Sequence, residues 1–186
     1  LALVQVLGPL FGDPERRSLD QRRAMLVILA AYLGEKGLTP ILPEARDWPR
    51  PRSLPLIIAN RHDSAQHFII SAAIAAWAGS PVANAVGLYK EIDDSRGGSG
   101  FSFADLAADR AGTRFGEMLS RHGERLDQAL KDGLGDRALM PRLDDLPEGL
   151  PEAEFRRRFG SVDSPAYRKL ADAIEARLDA LPLYRP

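Results

Sequence analysis

The 186-residue chain contains no cysteine. That removes disulfide staples, thiolate nucleophiles and cysteine-ligated metals, but leaves the compartment open. Long apolar runs are missing too: the longest, AMLVILAAYL at residues 24–33, falls short of the roughly 18 residues a membrane span needs and reads as a buried helix. Net charge is only −1, so no basic field draws in nucleic acid. The run Arg156-Arg157-Arg158 lies among acids and reads as a solvated helix face. No useful stretch alternates with period two, no repeat appears, and there is neither a serine or cysteine nucleophile signature nor an HExxH zinc helix.

What is present is helical. Apolar residues make up 45% and charged residues 27%, a composition that folds into a core. Ser18 with Gln21, Asp63 with Gln66, and Ser102 with Asp105 each have capping-box spacing. Gly34 or Gly37 and then Gly79 supply stops. Ser80 followed by Pro81 reads as a cap and first turn. From Ser102 one helix is expected to run to about residue 133, with Leu106, Phe115, Met118, Leu119, Leu126 and Leu130 on one side. Ala108, Gly112 and Gly116 face Ala72, Ala75 and Ala76 as small residues for close packing.

Residues 39–55 carry five prolines and read as an extended surface connector, pinned by Trp48. "LIIAN" reads as at most one short strand without a partner. The expectation is an all-α bundle of five or more helices in one domain. It comprises an N-terminal helix within 1–38, a proline-rich connector over 39–60, a three-helix core over 61–133 and a helical appendage over 134–186. The first residue is Leu1, so LALVQVLGPLF reads as what remains after a removed targeting segment.

The acids concentrate where this fold brings helix ends together. A link of about two residues makes the two central helices antiparallel. At about 1.5 Å per residue, His67 lies roughly 17 Å before the turn and Glu91 roughly 15 Å beyond it, so they share a level. Asp105 and Asp109, spaced i, i+4, start from the same end. His67, Glu91, Asp94, Asp105 and Asp109 therefore converge, with His67, Glu91, Asp105 and Asp109 as candidate catalytic groups. Asp94, Arg96 and Ser102 are candidate binding residues. Glu91, Asp93 and Asp94 occupy a helix C-terminal turn that disfavours anions. Lys90, Arg96, Arg110, a substrate or a divalent cation is expected to offset them, and the metal's identity stays open.

These residues carry a resemblance. The pattern of Asp63, His67, Phe68, Ser71 and Ala72, then Lys90, Glu91 and Asp94, then G.GFSF.DLAAD..G over 98–112 resembles the YfiM-like family of predicted bacterial envelope lipoproteins. A fainter likeness runs to VanZ-like membrane proteins of the envelope. The resemblance covers residues 63–116 and departs at Gln66, where the family carries lysine. It implies a periplasmic or envelope location, an envelope-protein or cell-wall partner, and membrane association only through a removed leader or anchor. It implies no activity. Two readings follow: a noncatalytic helical module whose acids are locked by Arg96 and Arg110, or a carboxylate- or divalent-cation-dependent hydrolase or transferase acting on a cell-wall or lipid-linked substrate.

Overall fold

A computed structural model describes residues 1–12, 18–34, 37–40, 42–49 and 55–185. The expected all-α class is what it shows. The helices are α1 (Val4–Phe11), α2 (Leu19–Leu33), α3 (His62–Ala78), α4 (Ser80–Ser95), α5 (Phe103–Arg121), α6 (Gly123–Lys131), α7 (Asp136–Leu139), α8 (Glu152–Phe159) and α9 (Pro165–Asp179). Among the described residues, β-structure is confined to isolated bridges. One of them pairs Ala2 with Ile57, giving "LIIAN" the partner its sequence did not reveal.

The most intimate contact is between α3 and α5, and small residues cause it. A Cβ on Gly112 would sit 2.0 Å from the Phe68 carbonyl oxygen, and one on Gly116 would sit 2.2 Å from that of Ala72. Both separations are impossible for a real side chain, so only glycine lets the two backbones approach this far. Phe68 then meets Phe115 across the seam, their ring centroids 5.4 Å apart. Helix α4 lies along the same pair through one narrow stripe, Ala83, Gly87, Glu91 and Ser95, recurring every fourth residue. That stripe contains no large apolar side chain, so Glu91 enters the interior as part of α4's packing face.

Sequence details shift in four places. Ser18 and Gln21 form their capping box, whereas Asp63 and Gln66 do not. Arg61 takes the Asp63 carboxylate, and the Gln66 amide donates to the Leu33 carbonyl. Gly79, at φ +87°, caps both α3 and α4. Ser80 is thereby displaced into the helix, and its hydroxyl donates to Glu117. The single long helix after Ser102 breaks at His122 into α5 and α6. Trp48 is 51% exposed rather than a buried anchor, and connector residues 41 and 50–54 lie outside the described residues.

The C-terminal third is built into the same core. Phe101 and Leu150 exchange backbone hydrogen bonds of 2.8 and 3.0 Å, and Phe103 N–H donates to Pro147. Phe101, Phe103, Phe155, Phe159 and Tyr167 pack as one aromatic group. The first turn of α5 is thus clamped from outside. Within residues 1–11, read from sequence as a targeting remnant, Val4–Phe11 forms a helix whose Leu7 and Phe11 belong to the main core.

Candidate functional site

The convergence drawn from helix rise is present. Ligand atoms of His67, Glu91 and Asp105 all lie within 4.8 Å of one another. They stand beside a cavity of about 340 Å³ between α3, α4 and α5, whose lining includes His67, Ser71, Gly87, Lys90, Asp105 and Asp109. A separate cavity of about 240 Å³ beside Arg110 and Arg114 lies away from these groups.

Each side chain is held by a different device. The His67 ring is buried, and its Nδ1 donates to Asp109 Oδ1 at 3.2 Å. Asp109 is 4% exposed and takes a second hydrogen bond at 2.7 Å from the Ser71 hydroxyl. A carboxylate can only accept, so Nδ1 carries a proton, and Nε2 is the ring nitrogen turned toward Asp105. His67 Nε2 and Asp105 Oδ2 are 3.8 Å apart, beyond hydrogen-bond reach. Room for Asp109 comes from Gly87, since a Cβ there would stand 2.7 Å from Asp109 Oδ2.

Glu91 is fully buried. Its Oε2 accepts from the Ser102 N–H at 2.8 Å, while Oε1 accepts no hydrogen bond among the described residues. This bond has a consequence for Asp105. The Ser102 hydroxyl accepts from the Asp105 N–H as an N-cap should, but the reciprocal donor of a capping box is already taken by Glu91. The Asp105 carboxylate is released to face His67 instead.

Electrostatics follow from this burial. Loss of hydration pushes the Glu91 carboxyl up to about 7, opposed by the Ser102 hydrogen bond and reinforced by the charge of Asp105. Asp94 is not among the causes: that carboxylate is bonded to Lys90 at 2.6 Å. Burial also raises Asp105, against the pull of His67. For His67, burial works downward, but the hydrogen bond and charge of Asp109 and the charge of Asp105 outweigh it and leave the imidazole more basic than usual.

The remaining predicted residues are at the rim or outside. Asp94 uses its backbone carbonyl to hold Gly98 and Gly100, and so shapes the glycine loop. Ser102 acts through its backbone and its cap. Arg96 and Arg110 do not neutralise the acids: Arg96 is exposed and faces Glu152 at 3.8 Å, and Arg110 faces Glu175 at 3.6 Å. The nearby cations are Lys90, 3.8 Å from Glu91 Oε1, and Arg61, which binds Asp63 and Glu148 at 2.7 Å and reaches Asp105 only at 4.0 Å. Sequence reasoning gave no role to Ser71, Gly87 or Arg61 in this site. Ser71 and Gly87 had a readable signal: Ser71 follows His67 by four residues, and Gly87 precedes Glu91 by four.

Comparison adds no relative to this picture: no protein-family model, curated protein or solved structure matches the chain.

Proposed function

We propose that the cavity between α3, α4 and α5 is the reaction site of a hydrolase or transferase that activates a water or alcohol beside His67, Glu91 and Asp105. The observation that supports this is the orientation of His67. A buried carboxylate, itself fixed by Ser71, turns the imidazole Nε2 toward the Asp105 carboxylate, with Glu91 in the same cluster beside the cavity. Proteins seldom bury this much unmatched acid without use for it, and perturbed groups in a cleft mark functional sites. Activation requires that the nucleophile lose a proton, either to this group directly or by stabilisation of the resulting anion. Ile70 and Val86 also line the cavity, giving it an apolar wall suited to a lipid-linked substrate with a polar head. An envelope location is part of the proposal, supported by the resemblance over residues 63–116; fractionation of the native host tests it, with recovery in the cytosol as the contrary result.

The test is turnover of a panel of chromogenic esters, phosphate mono- and diesters, glycosides and lipid-linked cell-wall fragments. Wild type should act on at least one, and Glu91→Gln and His67→Ala should lose that activity while remaining folded by circular dichroism. No turnover by wild type, or equal turnover by the variants, overturns the reading. A noncatalytic, partner-binding module is the second reading, favoured by one observation: α3 and α4 expose Trp77, Val82, Val86 and Tyr89.

A further inference from the structure

The point enclosed by His67, Glu91 and Asp105 is short of positive charge and long on acceptors. Glu91 presents Oε1, in a side chain 1% exposed, with no hydrogen-bond donor among the described residues. Asp109 Oδ2 is likewise buried without a donor. Lys90 stays 3.8 Å from Glu91 and commits its ammonium to Asp94. Buried acceptors left without donors are costly, and the cost falls when something positive sits among them.

Distances specify the size of that species. Two ligands on opposite sides of one ion, each at about 2.2 Å, are roughly 4.4 Å apart; ligands at a tetrahedral angle are about 3.5 Å apart. The 3.8 Å between His67 Nε2 and Asp105 Oδ2 and the 4.8 Å limit on the full set lie near that range. The histidine is also prepared as a ligand. Metal-binding imidazoles commonly donate their other ring N–H to a carboxylate, which fixes the tautomer and raises basicity. Asp109 receives that hydrogen bond here, and Ser71 steadies Asp109.

We propose that His67, Glu91 and Asp105 bind one divalent transition-metal ion, with Asp109 and Ser71 as positioning residues. The inference deepens the proposed reaction site and rests on the same cavity, but it does not require turnover. One imidazole with two carboxylates is an N/O set that suits Zn²⁺, Mn²⁺ or Fe²⁺, whereas Mg²⁺ and Ca²⁺ prefer oxygen alone. With three protein ligands, a tetrahedral ion held there would keep a fourth position for a water or substrate oxygen.

The test is Zn²⁺ titration of the full chain after chelator treatment, read by calorimetry and by thermal unfolding, with Co²⁺ as a spectroscopic probe and Mg²⁺ as comparator. One Zn²⁺ per chain should bind at about 1 μM or tighter and raise the unfolding temperature. Glu91→Gln and His67→Ala should each weaken binding at least 100-fold. Asp109→Asn should weaken it roughly 10–100-fold and change the visible Co²⁺ spectrum, which a merely structural role would not do. If His67→Ala unfolds, Glu91→Gln decides, because a glutamine amide oxygen can still accept from Ser102. Zn²⁺ binding that persists unchanged in Glu91→Gln belongs to surface histidines and overturns the inference, as does no binding to wild type. Binding without turnover leaves the metal site standing and removes the enzyme; chelator-resistant turnover without Zn²⁺ binding does the reverse.

Discussion

Arg22 and Asp127, 5% and 3% exposed, pair between α2 and α6, and the same guanidinium donates to the Phe11 carbonyl. Thirty-six residues before that aspartate, Glu91 is more deeply buried, and among the described residues Lys90 approaches it only to 3.8 Å. The first arrangement spends its charges on each other and joins two helices. The second gathers His67, Glu91, Asp105 and Asp109 around a shared point and leaves carboxylate oxygens unbonded beside a cavity. Buried charge that is internally matched serves architecture, whereas buried charge left unmatched keeps an affinity for something outside the chain. That difference is measurable.

The largest effect is expected from breaking the matched pair. Asp127→Ala removes the buried carboxylate that α6 brings to the Arg22 guanidinium, and loss of one partner of such a pair costs about 3–5 kcal/mol. Chemical denaturation should show that loss, and Zn²⁺ binding at the other site should be unchanged in whatever fraction remains folded. A loss under about 1 kcal/mol, within the range of exposed pairs, would show that the pair is not a structural lock.

The two regions also differ in how far the sequence disclosed them. His67 and Glu91 were placed level by arithmetic alone, because Gly79 forces a tight reversal and helix rise is constant. Asp105 and Asp109 followed from their own i, i+4 spacing on the next helix. The Arg22–Asp127 pair had no such local rule. It joins α2 to α6 across more than a hundred residues, and the break at His122 that sets α6 apart from α5 was itself not foreseen. The arginine lock failed for a related reason. Arg96 and Arg110 are close to the acids in sequence, but Glu152 and Glu175 come from the C-terminal third and face them instead. Spacing within neighbouring helices was legible; partners recruited from distant segments were not.

The second effect is a loss of stability with rising pH at the unmatched site. In metal-free protein the folded-state carboxyl of Glu91 is raised from 4.5 to about 7. Below pH 4.5 the group is protonated in both folded and unfolded chains and carries no penalty. As pH rises from 4.5 through 7, the unfolded chain ionises first, and the stability present at low pH is lost. The gap corresponds to roughly 3 kcal/mol. Glu91→Gln cannot ionise, so relative to wild type it should gain about that much between pH 4.5 and pH 8, measured by denaturation in chelator. The raised pKa values of Asp105 and His67 have the same sign and should persist in the variant as a residual slope. A variant less stable than wild type at pH 8 would mean that Glu91 is satisfied in the fold, and the contrast with Asp127 would collapse.

The smallest effect compares two buried serines on α3. Ser71 is 2% exposed and donates to Asp109 at 2.7 Å. Ser64 is fully buried, yet its hydroxyl has no hydrogen-bond partner in the protein. Ser71→Ala removes a hydrogen bond to an ionised group and leaves another Asp109 oxygen lone pair unmatched, which should cost about 1–2 kcal/mol. Ser64→Ala removes only an unpaired hydroxyl and should be neutral or slightly stabilising. The two substitutions delete the same atom from the same helix, so helix propensity cancels between them. Their difference isolates the Asp109 contact. With Asp109 less firmly held, Ser71→Ala should also weaken Zn²⁺ binding, by less than Asp109→Asn does, while Ser64→Ala should leave it unaltered. Equal stability of the two variants would show that Ser71 does not brace Asp109. The orientation of His67 would then rest on Asp109 and the tight α3–α5 seam at Gly112 alone.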